Sequence, residues 1–145
     1  MIKPGWIPPR SPFGLIQEDL FPGEWEILVV AIMLNQTSRK QVEGIWPTFV
    51  SRWPTPEAFL SADAGEVRNV IKALGFANRR TDNLVKMTQQ YVAGGWQHAS
   101  ELVGVGPYGA RSWEIFCQGI IGDEAPVDHA LAQYFAWAKQ TKLIT

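Results

Sequence analysis

Apolar positions in this chain recur at helical spacing, and nowhere do they alternate with polar ones long enough to make a strand. The stretch "GEWEILVVAIMLNQTS", from Gly23, is apolar nearly all round and reads as a central buried helix. "RKQVEGIWPTFVSRW" follows, with Pro47 expected to kink or divide it, because proline has no N–H for the helical ladder. In "TPEAFLSA" Thr55 is placed as a cap and Pro56 takes the first helical position. "DAGEVRNVIKALG" opens on a capping box, Asp63 with Glu66, and Gly75 fits its C-terminal stop. "NRRTDNLVKMTQQYVAGG" gathers Leu84, Val85, Thr88, Tyr91 and Val92 on one face and ends at Gly94 and Gly95. Ser100 is placed to cap a short turn. Pro107 then opens "PYGARSWEIFCQGI", and Asp128 is placed to cap "VDHALAQYFAWAKQ". The first dozen residues are proline-rich and read as an extended arm laid on the body. The pattern predicts an all-α chain of about eight helices with short loops.

Composition narrows the class. The 145 residues fit one domain, residues 1–145 with 1–12 as the arm, and can bury a single core. At 46% hydrophobic and 19% charged, the chain is neither disordered nor membrane-like. Its most apolar run, "ILVVAIML", is too short to span a bilayer, and "MIKPGWIPPR" lacks the apolar core of a signal peptide. An intracellular monomer is expected, nuclear in a eukaryote and cytoplasmic in a prokaryote. Cys117 stands alone, which excludes an intrachain disulfide, a cysteine-based zinc site and a four-cysteine iron–sulfur cluster. Its neighbours in "WEIFCQG" suggest a buried helical thiol.

Thirteen Lys and Arg against 14 Asp and Glu give a net charge of −1, without the basic surplus usual in nucleic-acid binding. The local field at a contact surface is what counts, however. Bases collect at Arg39 and Lys40, at Arg79 and Arg80, and at Arg111, each near a predicted helix start. A solvated helix face accounts for each cluster taken alone.

The densest local signal is "LVGVGPYGA", Leu102 to Ala110. Gly104 and Gly106 permit positive φ and let the backbone come close to a partner. Pro107 starts a helix whose first amides are unpaired and form a ready anion site. A tight helix-to-helix turn accounts for these nine residues equally well. The segment resembles the helix-hairpin-helix element, Leu-Pro-Gly-Val/Ile-Gly-x-x-x-Ala, which grips DNA through its backbone. In the DNA glycosylase superfamily built on that element, a catalytic aspartate follows in a Val/Glu-Asp-x-x motif, and "APVDHALAQY" supplies Asp128 there. The similarity extends to "SPFGLIQEDLFPGEWEILVVAIMLNQTSRK", "LGFANRRTDNLVK" and "VDHALAQYFAW". These segments are similar, almost residue by residue at the start, to the glycosylase domain of the methyl-CpG-binding thymine glycosylases. The resemblance covers the glycosylase domain of those proteins and not their separate methyl-CpG-binding domain.

The resemblance implies an all-α, mismatch-directed thymine and uracil DNA glycosylase acting on double-stranded DNA and initiating base excision repair. Asp128 matches the catalytic aspartate, where a fixed anion stabilises the positive charge that builds on the deoxyribose. A plain helix N-cap is the alternative for that residue, and a carboxylate at a helix N-terminus suits both roles. Tyr108 stands where lyase-competent relatives carry a lysine, which implies a monofunctional enzyme with Tyr108 against the flipped base. A purely structural tyrosine is the alternative. Gln17 matches the glutamine that reads the pyrimidine edge, with the main chain of Ile16 beside it.

Gln36 matches the residue that fills the space left by the flipped nucleotide. Thymine glycosylases have arginine there, and endonuclease III-like and adenine-excising relatives have glutamine. Leu34 and Asn35 are expected near the opposite base, and Phe76 matches a leucine wedge entering the other strand. Core or loop packing is the alternative for these residues. Gly104, Gly106, Tyr108, Gly109, Arg39, Lys40, Arg79 and Arg111 are the expected phosphate contacts. No cofactor is expected, though hairpins of this kind often hold K+ or Na+ on backbone carbonyls, here those of Leu102 and Val105. Two rivals stand beside this reading. One is the same fold with another lesion preference, adenine opposite oxidised guanine or general uracil. The other is a non-catalytic DNA-binding module.

Overall fold

The computed structural model describes residues 1–122 and 124–141. Among them are eight α-helices and no strand: α1 (Ile16–Leu20), α2 (Glu24–Met33), α3 (Arg39–Arg52), α4 (Pro56–Leu60), α5 (Ala64–Ile71), α6 (Ala77–Ala93), α7 (Pro107–Gln118) and α8 (His129–Thr141). Two 3-10 turns, Lys72–Leu74 and Ala99–Glu101, complete the set. Every residue of α2 except Glu26 is buried, as the apolar run Ile27–Met33 leads one to expect. On one side α6 packs against it and carries α4 and α5, with α3 resting on α5. On the other side α1 and α7 pack against it. A cluster of rings, Trp25, Phe49, Trp53 and Phe59, fills the first side. On the second, the rings of Phe116 and Tyr134 join α7 to α8 at 4.7 Å. No helix among the described residues is long and apolar enough to cross a membrane.

Local punctuation mostly follows the sequence. Thr55 Oγ1 accepts from the Ala58 N–H at 3.1 Å, and Pro56 and Pro107 open their helices. Three expectations need correction. Pro47 does not divide α3, because Pro47 and Glu43 both lie on the exposed face. The carbonyl that Pro47 cannot serve is therefore left to water. Asp63 occupies the N-cap of α5 without a side-chain cap bond. Its backbone carbonyl takes the Glu66 N–H at 3.0 Å while the carboxylate lies over Gly65. His98, not Ser100, caps the second 3-10 turn, its Nδ1 accepting from the Ser100 N–H at 3.1 Å.

The N-terminal segment is hydrogen-bonded to α7 and α8. The Lys3 N–H bonds the Cys117 carbonyl at 2.8 Å, Trp6 Nε1 donates to the Phe116 carbonyl at 2.9 Å, and Tyr134 Oη donates to the Pro9 carbonyl. The arm ends in a latch. Glu18, buried in α1, accepts from the Ser11 N–H and Oγ, both at 2.7 Å, and from the Leu15 N–H at 2.8 Å. Cys117 is fully buried and its thiol is pushed up to about 12 by that burial, so it acts as a packing group.

Candidate functional site

A cavity of about 580 Å³ opens where four pieces converge: α1, the C-terminal end of α2, the hairpin before α7, and the start of α8. The latch that fixes α1 turns Gln17 inward, leaving it only 1% exposed at the cavity floor. Gln17 Nε2 donates to Tyr108 Oη at 2.6 Å and to Ser112 Oγ at 3.2 Å. Its Oε1 accepts no hydrogen bond from any described residue, which leaves a directed acceptor for a ligand N–H.

Tyr108 and Ser112 lie one helical turn apart on α7, so both hydroxyls reach the same amide. Burial pushes the Tyr108 phenol up to about 12; the bond from Gln17 opposes the shift and the negative charge of Asp128 adds to it. Tyr108 therefore keeps its proton at neutral pH and remains a donor. Asp128 stands on the same cavity wall at the start of α8. One carboxylate oxygen accepts from the Leu131 N–H at 3.0 Å, and its carbonyl takes the Ala132 N–H at 2.8 Å. The expected capping is present, with the carboxylate exposed at the cavity edge.

The hairpin brings its elements to the same cavity, though not as its glycines suggest. Gly104 has φ 81°, and a Cβ there would stand 2.9 Å from Asn83 Cβ. Gly106 does not use the positive φ open to glycine: it has φ −82° in extended backbone, and a Cβ on it would meet nothing within 4 Å. Its smallness leaves open space in front of the chain. Gly109 is buried; a Cβ there would meet Val105 Cγ1 at 2.9 Å and Ala31 Cβ at 3.3 Å. That glycine packs α7 on α2. The first α7 amide with a backbone partner is that of Ala110, bonded to the Gly106 carbonyl at 2.9 Å. The N–H groups of Gly106, Tyr108 and Gly109 have no partner among the described residues, at the positive end of a 12-residue helix.

Ile16, Leu34, Asn35 and Gln36 also line the cavity. Phe76 does not: it borders a separate recess of about 170 Å³, shared with Asn35 and Gln36. It is 66% exposed and projects from the body. Lys40 and Arg79 are exposed, and Arg39 is engaged by Glu43 at 3.2 Å and by the Gly14 carbonyl. Arg111 is not among the residues lining this cavity. Its guanidinium pairs with Glu114 at 3.1 Å and donates to the carbonyls of Ile121 at 2.8 Å and Glu124 at 2.7 Å, tying down the segment before Asp128. Arg80, read as part of a solvated basic face, is buried instead.

The Leu102 carbonyl already accepts from the Val105 N–H at 3.2 Å. Among the described residues no group of three or more His, Cys, Asp or Glu could hold a metal ion. Sequence reasoning missed Ser112 and Glu18, and the one signal for each was a polar side chain in an otherwise apolar helical face.

With this geometry in hand, comparison with known proteins is informative. A family profile described as "HhH-GPD superfamily base excision DNA repair protein" matches residues 29–144. The methyl-CpG-binding domain protein 4-like protein of Arabidopsis thaliana is 34% identical over 134 residues, 92% of this chain and 30% of that protein. The thymine-DNA glycosylase of Aeropyrum pernix is 36% identical over 91 residues, 58% of this chain and 41% of that one. This chain thus spans less than half the length of either relative. Among solved structures, a thermostable thymine-DNA glycosylase superposes with a TM-score of 0.64 at 25% identity, covering 72% of this chain and 51% of that one. A trapped endonuclease III–DNA covalent intermediate gives the same TM-score at 17% identity, over 78% of this chain and 60% of that one, and shares the fold.

Proposed function

The chain belongs to the HhH-GPD superfamily of base excision DNA repair proteins, and from that premise we propose that it is a monofunctional DNA glycosylase excising thymine or uracil opposite guanine. The observation that carries this reading is the buried Gln17 amide, held by Tyr108 and Ser112 in the cavity that Asp128 borders. In this reading the target nucleotide is flipped out of the duplex into the cavity. Its base edge meets Gln17, whose free oxygen takes a pyrimidine N3–H. The Tyr108 O–H, left free because its oxygen accepts from Gln17, serves a ring carbonyl, and Ile16 offers main-chain contact.

Hydrolysis follows from the remaining groups. The bond between C1′ and the base nitrogen breaks with its electron pair leaving on the base. The Asp128 carboxylate faces the cation that develops on the sugar, and water adds at C1′ while its proton passes to the departing base, leaving an abasic site and the free base. The open amides of Gly106, Tyr108 and Gly109 suit a phosphate oxygen of the backbone, with Gly104 setting the turn and Arg39, Lys40 and Arg79 adding local positive charge. Gln36 fills the vacated stack, with Leu34 and Asn35 toward the opposite base and Phe76 in the other strand. None of the residues lining the cavity is a lysine, and Tyr108 has no amine for a Schiff base.

A duplex panel of G·T, G·U, A·U and adenine opposite oxidised guanine tests the reading, with strands analysed before and after alkali. Excision confined to G·T and G·U, with cleavage only after alkali and no borohydride-trapped adduct, is expected. Excision of adenine would favour a relative such as the adenine DNA glycosylase of Mycobacterium tuberculosis, 44% identical over 55 residues. Binding without excision of any base would leave a DNA-binding module.

A further inference from the structure

Arg80 is 5% exposed, and no carboxylate among the described residues pairs with it. Burial pulls its guanidinium below the ordinary arginine range. Four backbone carbonyls hold it instead. Nε donates to Gly75 at 2.8 Å and one terminal nitrogen to Leu74 at 3.4 Å. The other donates to Ile32 at 3.2 Å and, more weakly, to Met33 at 3.5 Å. Leu74 and Gly75 end the 3-10 turn immediately before Phe76, while Ile32 and Met33 end α2 just before Leu34, Asn35 and Gln36. One planar, rigid cation therefore joins the roots of the two loops that carry the projecting side chains.

Those two loops share a second peculiarity. Phe76, at φ 49°, and Gln36, at φ 61°, are the only non-glycine residues of positive φ among those described. Both are exposed, and both line the recess that Arg80 also lines. A left-handed conformation in such residues persists only where the surroundings impose it. The Arg80 guanidinium also lies 5.9 Å from the Phe76 ring centroid. Resting on the reading above, we propose that Arg80 is a positioning residue. It fixes the spacing between Phe76 and Gln36 so that both strands are entered in one register when the base is flipped.

A structural role alone would affect every substrate alike, whereas a register role matters only where a stacked pair must be opened. Single-turnover excision of uracil is compared on a G·U duplex and on a duplex with uracil in a bulge, where unstacking costs little. Arg80→Met, Arg80→Lys and Phe76→Ala are the variants, each with a melting temperature. Losing hydrogen bonds made by a charged group predicts a fall of about ten- to a hundredfold on the G·U duplex for Arg80→Met. The bulge rate is expected to stay unchanged. Arg80→Lys falls less, and adding Phe76→Ala to Arg80→Met costs nothing further. Equal falls on the two substrates, or none on either, overturn the proposal. If Arg80→Met does not fold, Arg80→Lys decides by the same split, because a single ammonium cannot hold four carbonyls in one plane. A wild type inactive on both substrates would overturn the glycosylase reading itself, and this proposal with it.

Discussion

Asp128→Asn separates the two tasks of one carboxylate. Asparagine caps a helix as well as aspartate does, so the bond from the Leu131 N–H survives. What the cap loses is the attraction between a charge and the helix dipole, about 0.3–1 kcal/mol, or a few degrees in melting temperature. The reaction loses far more. An anion about 4 Å from a developing cation is worth about 4 kcal/mol at an effective dielectric constant of about 20, the value suited to a partly exposed site. That corresponds to about a thousandfold in rate. The assay is single-turnover excision on a G·T duplex, run beside DNA binding by anisotropy and thermal melting. A third readout is independent of chemistry. The charge of Asp128 helps to raise the Tyr108 phenol, so in the variant Tyr108 should ionise at lower pH than its about 12. Turnover within tenfold of wild type, or a loss of rate matched by a loss of folding, would refute the electrostatic reasoning.

The other predictions concern the floor and the hairpin. Gln17→Leu leaves the buried Ser112 hydroxyl without its partner and should cost about 1–3 kcal/mol in chemical denaturation, with excision lost. Gly109→Ala forces a methyl against Val105 and should destabilise by about 1–3 kcal/mol. Gly106→Ala meets nothing and should leave the melting temperature unchanged while weakening DNA binding in anisotropy titrations, since its methyl enters the phosphate approach. Tyr108 has its folded pKa raised above its ordinary value, so its contribution is fully present below pH 10 and lost as pH rises through about 12. Tyr108→Phe should flatten the fall of stability with pH in that window, measured by urea denaturation at stepped pH.

The parts of this molecule that local chemistry decides were readable in the chain. Thr55 with Pro56, Pro107, and Asp128 act within one helical turn of where they stand, and their neighbours in sequence suffice to place them. The errors arose where a distant partner decides. Arg80 looks like its exposed neighbour Arg79 until the end of α2 arrives above it. Gly106 and Gly109 look alike in sequence, yet one faces open space and the other faces Ala31 on another helix. Pro47 leaves α3 undivided for the opposite reason: it lies on an exposed face. Gln17 carried no signal of its own beyond the resemblance, because its burial depends on Ser11 and on Tyr108, 91 positions away.

The arm that crosses α7 and α8 has a consequence for the order of assembly. Pro9 is held by Tyr134, Lys3 by Cys117, and Ser11 by the glutamate next to Gln17. The cavity's floor thus comes from α1 and one of its walls from near residue 128. Loops that close over such separations form late in folding, because their entropy cost precedes any return. Helices α2 to α6 precede in the chain the α7 and α8 residues that line the cavity. The cavity is closed only when α7 and α8 dock against α1 and the segment before it.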